Sequence, residues 1–301
     1  MRLRMLFAAL AVSLLAACAH SPFGSARGAS AAGVDHVLIW SRDGEAATGV
    51  LRERLGFTVR DADQHPDGVS TRVMRFADHS YLELFFIADR ERARTQAPTE
   101  IAFLDWTYGP SNFGLETGDL DAALARASAA GLAGQTVDEP HWRTAGFEQG
   151  RVPGEPFFIQ YRDPGAAEER GAVHANGARR LTAVWVAVPD LEAAGTVYRD
   201  LGLTRQRPVA LPLLNARGLR VDAGDSAVLL VQPVGPGLAQ AALEWPGHRV
   251  FGVSVEVADL GRTRAVLGTG GHFAYRGPFG RSLLADTRRD LGLYVEFHAR
   301  R

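Results

Sequence analysis

One cysteine in 301 residues excludes an intramolecular disulfide framework. An excess of charge is missing too. With 33 Lys plus Arg against 34 Asp plus Glu, electrostatics give no reason to expect nucleic acid, and a small-molecule ligand of modest charge is the expected partner. Beyond residue 17 no hydrophobic run approaches the length of a membrane span. No Ser-His-Asp or Cys-His arrangement stands out, and GTGGHF (268–273) has turn glycines without the spacing or strand-to-helix context of a phosphate loop. The chain is 46% hydrophobic and long enough for two small domains with real cores.

The N-terminus carries a different message. Arg2 and Arg4 precede LFAALAVSLLAA (6–17), an apolar run too short for a permanent span, so residues 1–17 read as a signal peptide. LAAC (15–18) resembles the lipobox of bacterial lipoproteins. That resemblance implies acylation of Cys18 and an exported protein that meets the membrane only through its N-terminal lipid. Ala19 after the cysteine points to the outer membrane, periplasmic face. Residues 18–32, rich in Ala, Ser and Gly, read as a flexible tether.

The rest is organised by a phrase that recurs four times: an apolar strand, an acidic residue, a small-residue helix. The copies are VDHVLIWSRDGEAATGVLRERLGF (34–57), NFGLETGDLDAALARASAAGL (112–132), TAVWVAVPDLEAAGTVYRDLGL (182–203) and FGVSVEVADLGRTRAVLGTGG (251–271). Seven residues before Asp43, Asp119, Asp190 and Asp259 stand His36, Asn112, Ala183 and Gly252, each in the leading strand. Period-two strands follow the helices at 57–63, 70–77, 81–87, 203–209, 218–224 and 226–233, with closing strands at 156–162 and 291–299. Each copy is thus a βαβββ module whose sheet leaves one face uncovered, so modules pair. The aperiodic stretch 165–180 is the expected linker between a first domain, 33–164, and a second, 181–301.

Through VDHVLIW (34–40), YLELFFI (81–87), residues 103–132 and FFIQYRDP (157–164), the chain resembles the vicinal oxygen chelate superfamily, which includes glyoxalase I, bleomycin-resistance proteins and extradiol dioxygenases. The resemblance implies an α+β fold: four βαβββ modules paired into two glyoxalase-like domains with curved mixed sheets. It also implies that the first and last strands of two modules supply ligands for one divalent metal. Carried over, these positions are His36, Glu83, Asn112 and Gln160 in domain 1, with Glu83 also the catalytic carboxylate and the metal Zn, Ni, Mn or Fe. The matching positions in domain 2 are Ala183, Leu229, Gly252 and Glu296, so no metal is expected there and Glu296 is expected to pair with an arginine. Trp106, His141, Trp142 and Arg143 are candidates for gripping a substrate at the cavity mouth, against a plain loop with a packed Trp.

Two functions stay open on these grounds. One is a metal-dependent lyase, isomerase or dioxygenase-type enzyme acting on a small vicinal-oxygen substrate. The other is a metal-free small-molecule binding or sequestering protein of the bleomycin-resistance type. A homodimer is compatible with either.

Overall fold

The computed structural model describes residues 33–162, 171–246 and 249–299. The signal peptide, the tether and Cys18 lie outside the described residues, as do residues 163–170 of the expected linker.

Two eight-stranded mixed sheets make up the α+β fold. The first contains β1 (Val34–Ser41), β2 (Arg60–Gln64), β3 (Val69–Arg75), β4 (Tyr81–Ile87), β5 (Gly109–Glu116), β6 (Gly134–Asp138), β7 (Trp142–Phe147) and β8 (Phe157–Tyr161), in the spatial order 2-3-4-1-5-8-7-6. The second repeats this order with β9 (Ala178–Ala187), β10 (Gln206–Leu211), β11 (Ala216–Ala223), β12 (Ser226–Pro233), β13 (Val250–Val257), β14 (Phe273–Gly277), β15 (Gly280–Asp286) and β16 (Tyr294–Ala299). In each sheet the leading strands of two modules pair antiparallel at the centre, β1 with β5 and β9 with β13, and each runs parallel to its module's closing strand. The sheets are curled, so each has a convex and a concave face.

The repeated aspartates explain where the helices begin. Asp43, Asp119, Asp190 and Asp259 each turn a carboxylate oxygen onto backbone N–H groups of the following turn, capping the helices at 44–49, 120–129, 191–200 and 260–267. The first of these continues as a wider turn through 50–54, closed by Leu55 N–H donating to the Val50 carbonyl.

Alternation along the central strands divides the core. Val34, Val37 and Ile39 of β1 and Phe113 and Leu115 of β5 lie in one buried cluster with Val184 and Val186 of β9 and Val253 and Val255 of β13. The convex faces of the two sheets therefore share a core with the four capped helices. Each fully buried side chain of this kind stabilises the fold by about 1.5–3 kcal/mol. Polar ties reinforce the seam: Val34 N–H donates to Ser226 Oγ (2.6 Å), Leu181 N–H to Ser80 Oγ (3.0 Å), and Arg54 to Asp290 (2.9 Å).

The segment before β9 is stitched into both halves. Asn176 donates to the Leu55 carbonyl and accepts from Ala178 N–H, and Arg262 of the second domain holds the Ala175 carbonyl. His174 is buried, with Nδ1 accepting from Thr58 N–H (3.0 Å) and Nε2 facing the Arg75 carbonyl (3.0 Å). Burial lowers its pKa from the usual 6.5 to about 4.

This His is neutral in the folded chain and charges more readily when unfolded. Its contribution is complete above pH 6.5 and is lost as the pH falls towards 4. The stability difference between wild type and His174→Asn, measured by urea denaturation, should therefore shrink over that window by roughly 2–3 kcal/mol. A difference independent of pH would contradict a neutral, hydrogen-bonded His174.

Candidate functional site

The concave face of the first sheet collects the residues that could carry chemistry. His36, Leu38 and Trp40 of β1, Glu83 and Phe85 of β4, and Phe157, Ile159 and Tyr161 of β8 share it, opposite the convex core residues between them. Two helices, 90–96 and 98–106, cover this face, and their Ala93, Ala97, Phe103 and Leu104 complete its apolar cluster. Arg42 fastens the cover: its Nε donates to the Leu104 carbonyl (2.6 Å) and its guanidinium lies 5.0 Å over the Tyr108 ring.

His36 is fully buried and held from three sides. Its ring stacks on Tyr81 (centroids 4.5 Å apart, 8° between planes), with Arg75 over the same tyrosine at 4.7 Å and the edge of Phe157 at 5.3 Å. A register shift between Val34 and His36 lets two consecutive side chains reach one side, so the Asp35 carboxylate meets His36 Nδ1 at 2.5 Å. The same Asp35 oxygen accepts from Tyr161 Oη (3.0 Å). Burial, then the Asp35 carboxylate, hold the Tyr161 phenol well above its ordinary pKa, so it remains a donor. With Nδ1 committed to Asp35, Nε2 is the free nitrogen of the ring. It has no hydrogen-bond partner among the described residues and stands 4.0 Å from Glu83 Oε2. Room for the imidazole comes from Gly114, directly across the ladder, where a Cβ would fall 2.9 Å from His36 Cε1.

Trp40 Nε1, Trp142 Nε1 and Thr144 Oγ1 are also buried on this face with no hydrogen-bond partner among the described residues. Trp142 and Thr144 lie on β7, beside Tyr161 and Ile159.

The model of the glyoxalase-like domain family matches residues 34–202, more than half of the 301-residue chain. The chain belongs to that family. Among curated proteins, none matches its sequence. Its fold is shared by several solved structures. A triple mutant of 4-hydroxymandelate synthase from Streptomyces coelicolor aligns with a TM-score of 0.61 at 16% identity, covering 90% of this chain and 93% of that one. The 2,3-dioxygenase LapB from Pseudomonas sp. KL28 aligns at 0.56 and 15% identity, covering 93% of each. A hypothetical protein from Staphylococcus aureus aligns at 0.55 and 11%, covering 88% and 98%. These likenesses, at 16% identity or less, show a shared fold alone.

Strand pairing identifies which positions correspond between the modules of this glyoxalase-like chain. His36 lies opposite Gly114 and Leu38 opposite Asn112, so exchanging the strands carries His36 onto Asn112 and Leu38 onto Gly114. Leu38 neighbours Glu83, whereas Gly114 neighbours Phe157. The counterpart of Glu83 is therefore Phe157, three residues before the expected Gln160. Gln160 faces the other way and caps a helix, accepting from Leu120 N–H (3.3 Å) and donating to the Gly118 carbonyl (2.8 Å). Asn112 shares the face of Gly114, with its Oδ1 accepting from Ser111 Oγ (2.9 Å).

The metal implied by the superfamily can be tested against this donor set. His36 Nε2 and Glu83 converge, Asn112 is a neutral amide, and Phe157 offers nothing. Catalytic metal sites ordinarily use three protein ligands. Among the described residues no group of three His, Cys, Asp or Glu side chains is placed to hold a metal. The residues do not fit the expected metal.

Other expectations need correction. Trp106 is 53% exposed and lies away from the concave face, and His141 is exposed. Arg143 is on the outer face of β7, bound to Asp121 (2.9 Å) and Asp138 (3.0 Å). Only Trp142 of that segment reaches the site, because it lies in a strand with its ring inward. In domain 2, Glu296 pairs with no arginine among the described residues. Its carboxyl accepts from Ser254 Oγ (2.5 Å) and Tyr275 Oη (2.6 Å), and desolvation raises its pKa. Asp35, Gly114, Thr144 and Tyr161 were not among the candidates read from the sequence. The adjacency of Asp35 to His36 was the one local signal; the others depend on pairing across strands.

Replacing Gly114 by Ala should push the His36 ring off Asp35. The expected outcome is loss of the Nδ1-protonated signature in the histidine 15N spectrum and a destabilisation of about 1–3 kcal/mol. An unchanged spectrum would show that the imidazole does not depend on this gap.

Proposed function

We propose that this chain is a small-molecule-binding protein whose ligand sits between the concave face of domain 1 and its helical cover, without a metal. The observation that carries this reading is a set of buried polar atoms, on Trp40, Trp142, Thr144 and His36, that have no hydrogen-bond partner among the described residues and share this face with an apolar cluster. Buried donors and acceptors are normally satisfied, at about 1–3 kcal/mol for each one left unpaired. Four on one face form a hydrogen-bonding pattern for a guest. Among the described residues, the matching face of domain 2 leaves the Tyr294 hydroxyl in this condition and is packed by helix 238–244, which suits a structural partner. The metal-dependent lyase, isomerase or dioxygenase reading lacks its ligand set.

Full-length protein stripped with EDTA should bind naphthalene saturably at one site, read by quenching of tryptophan fluorescence. Ile159→Phe, which adds bulk to the concave face, should weaken binding at least tenfold. Dependence of all binding on added Zn, Ni, Mn or Fe would overturn the metal-free reading.

The lipid anchor belongs to the same proposal: an exported binding protein held at the outer membrane through Cys18. Cys18→Ser should move the protein from the membrane to the soluble fraction, and unchanged fractionation would remove the anchor.

A further inference from the structure

The outermost strand on either side of a sheet leaves a row of backbone N–H and C=O groups unpaired, and proteins ordinarily guard such edges with charge, proline or bulges. Among the described residues the fold has four such strands, β2 and β6 in the first sheet and β10 and β14 in the second. Three are guarded. β2 carries Arg60 and Asp61, and its register against β3 shifts between Asp61 and Gln64. β10 has Pro208 next to Arg207. β6 presents Gln135, Thr136 and Asp138, and Asp138 is tied to both Arg143 and Arg162.

The fourth edge is open. β14 (FAYRG) has no proline, no acidic residue and no bulge, and runs in unbroken register with β15 from Phe273 opposite Leu284 to Gly277 opposite Gly280. No strand among the described residues pairs with its outer side. Phe273 is 60% exposed, the one exposed phenylalanine among the described residues. It shares its face with Tyr275, whose hydroxyl reaches the buried Glu296, so the aromatic stripe of β14 carries the concave face of domain 2 out to the edge.

A second copy of the chain fits such an edge. Two identical strands related by a twofold axis perpendicular to the sheet pair antiparallel, keep concave face beside concave face, and satisfy one another's outward backbone groups. With the axis at Tyr275, the whole of β14 is paired: Phe273 opposite Gly277 of the other copy, Ala274 opposite Arg276, and Tyr275 opposite itself. An aromatic ring opposite a glycine covers backbone that the glycine leaves bare. An axis at Ala274 would pair only 273–275 of the strand. One at Arg276 would pair only 275–277 and set two guanidiniums opposite each other.

We propose that β14 is a dimerisation edge, through which two copies join antiparallel about Tyr275 into one continuous sheet across both second domains. The seam is short, so the association is weak and depends on concentration, with a Kd on the order of 10 μM. It does not depend on the ligand site proposed for domain 1.

Sedimentation velocity on the full-length Cys18→Ser protein from about 1 to 100 μM should show a reversible monomer–dimer equilibrium. Phe273→Lys, at an exposed position, should stay monomeric over that range with an unchanged circular dichroism spectrum. The Cys18→Ser background has no native thiol. In it, an equimolar mixture of Ala274→Cys and Arg276→Cys proteins under mild oxidation should give a disulfide-linked dimer in several-fold excess over either protein alone. A chain monomeric throughout, or a dimer that Phe273→Lys leaves intact, would overturn the inference and leave this edge to a different partner or to none. A dimer without the mixed disulfide would overturn the antiparallel register about Tyr275.

Discussion

The antiparallel ladder between β1 and β5, with His36 opposite Gly114 and Leu38 opposite Asn112, is the constraint on which the rest of this molecule turns. It joins two βαβββ modules into one curled sheet and sends Val37, Ile39, Phe113 and Leu115 to the convex core. It also sends His36, Leu38 and Trp40 to the concave side. A slip of one residue would exchange these faces, placing an imidazole in the apolar core and valines in the site. The ladder further sets a side chain of zero size against the His36 ring, so the imidazole can lie flat between Tyr81 and Asp35.

The two domains share this architecture and have used it differently. At the position of Leu38, domain 2 has Trp185, whose Nε1 donates to Ser254 Oγ (2.7 Å), which in turn meets Glu296. Tyr275 supplies another donor, so the buried carboxyl is satisfied from within the protein. Helix 238–244 then packs Ala239 and Ala242 against alanines 183, 187 and 227. Small residues facing small residues let helix and sheet approach closely, and this half becomes core. Domain 1 sets large rings around buried polar atoms that have no hydrogen-bond partner among the described residues.

Asp35 gives that arrangement its direction. One carboxylate oxygen, receiving a phenol from the far edge of the site and an imidazole N–H from its own neighbour, fixes a ring that could otherwise present either nitrogen. Glu83 on the adjacent strand then stands 4.0 Å from Nε2. At the positions where the resemblance implied further metal ligands, the second module places Asn112 and Phe157, an amide and an apolar ring.

The local chemistry of the sequence determined a good deal: the four capping aspartates, the strand alternation, and the faces that His36 shares with Leu38 and Trp40 and that Glu83 shares with Phe85 all follow from residue types at short range, whereas the meeting of His36 and Glu83 was implied only by the family resemblance. Period two says which side chains share a face, and an aspartate before a small-residue run says where a helix starts. Only the tertiary structure decided which strand position in one module answers to which in the other. Closing strands of unequal pattern, YLELFFI and FFIQY, can be aligned in several registers on paper, and the hydrogen-bonded ladder chose Phe157 over Gln160. The same is true of Tyr161 meeting Asp35 over 126 residues of chain. Contacts of that range are set by how sheets curl and helices cover them, for which a linear pattern carries no local signal.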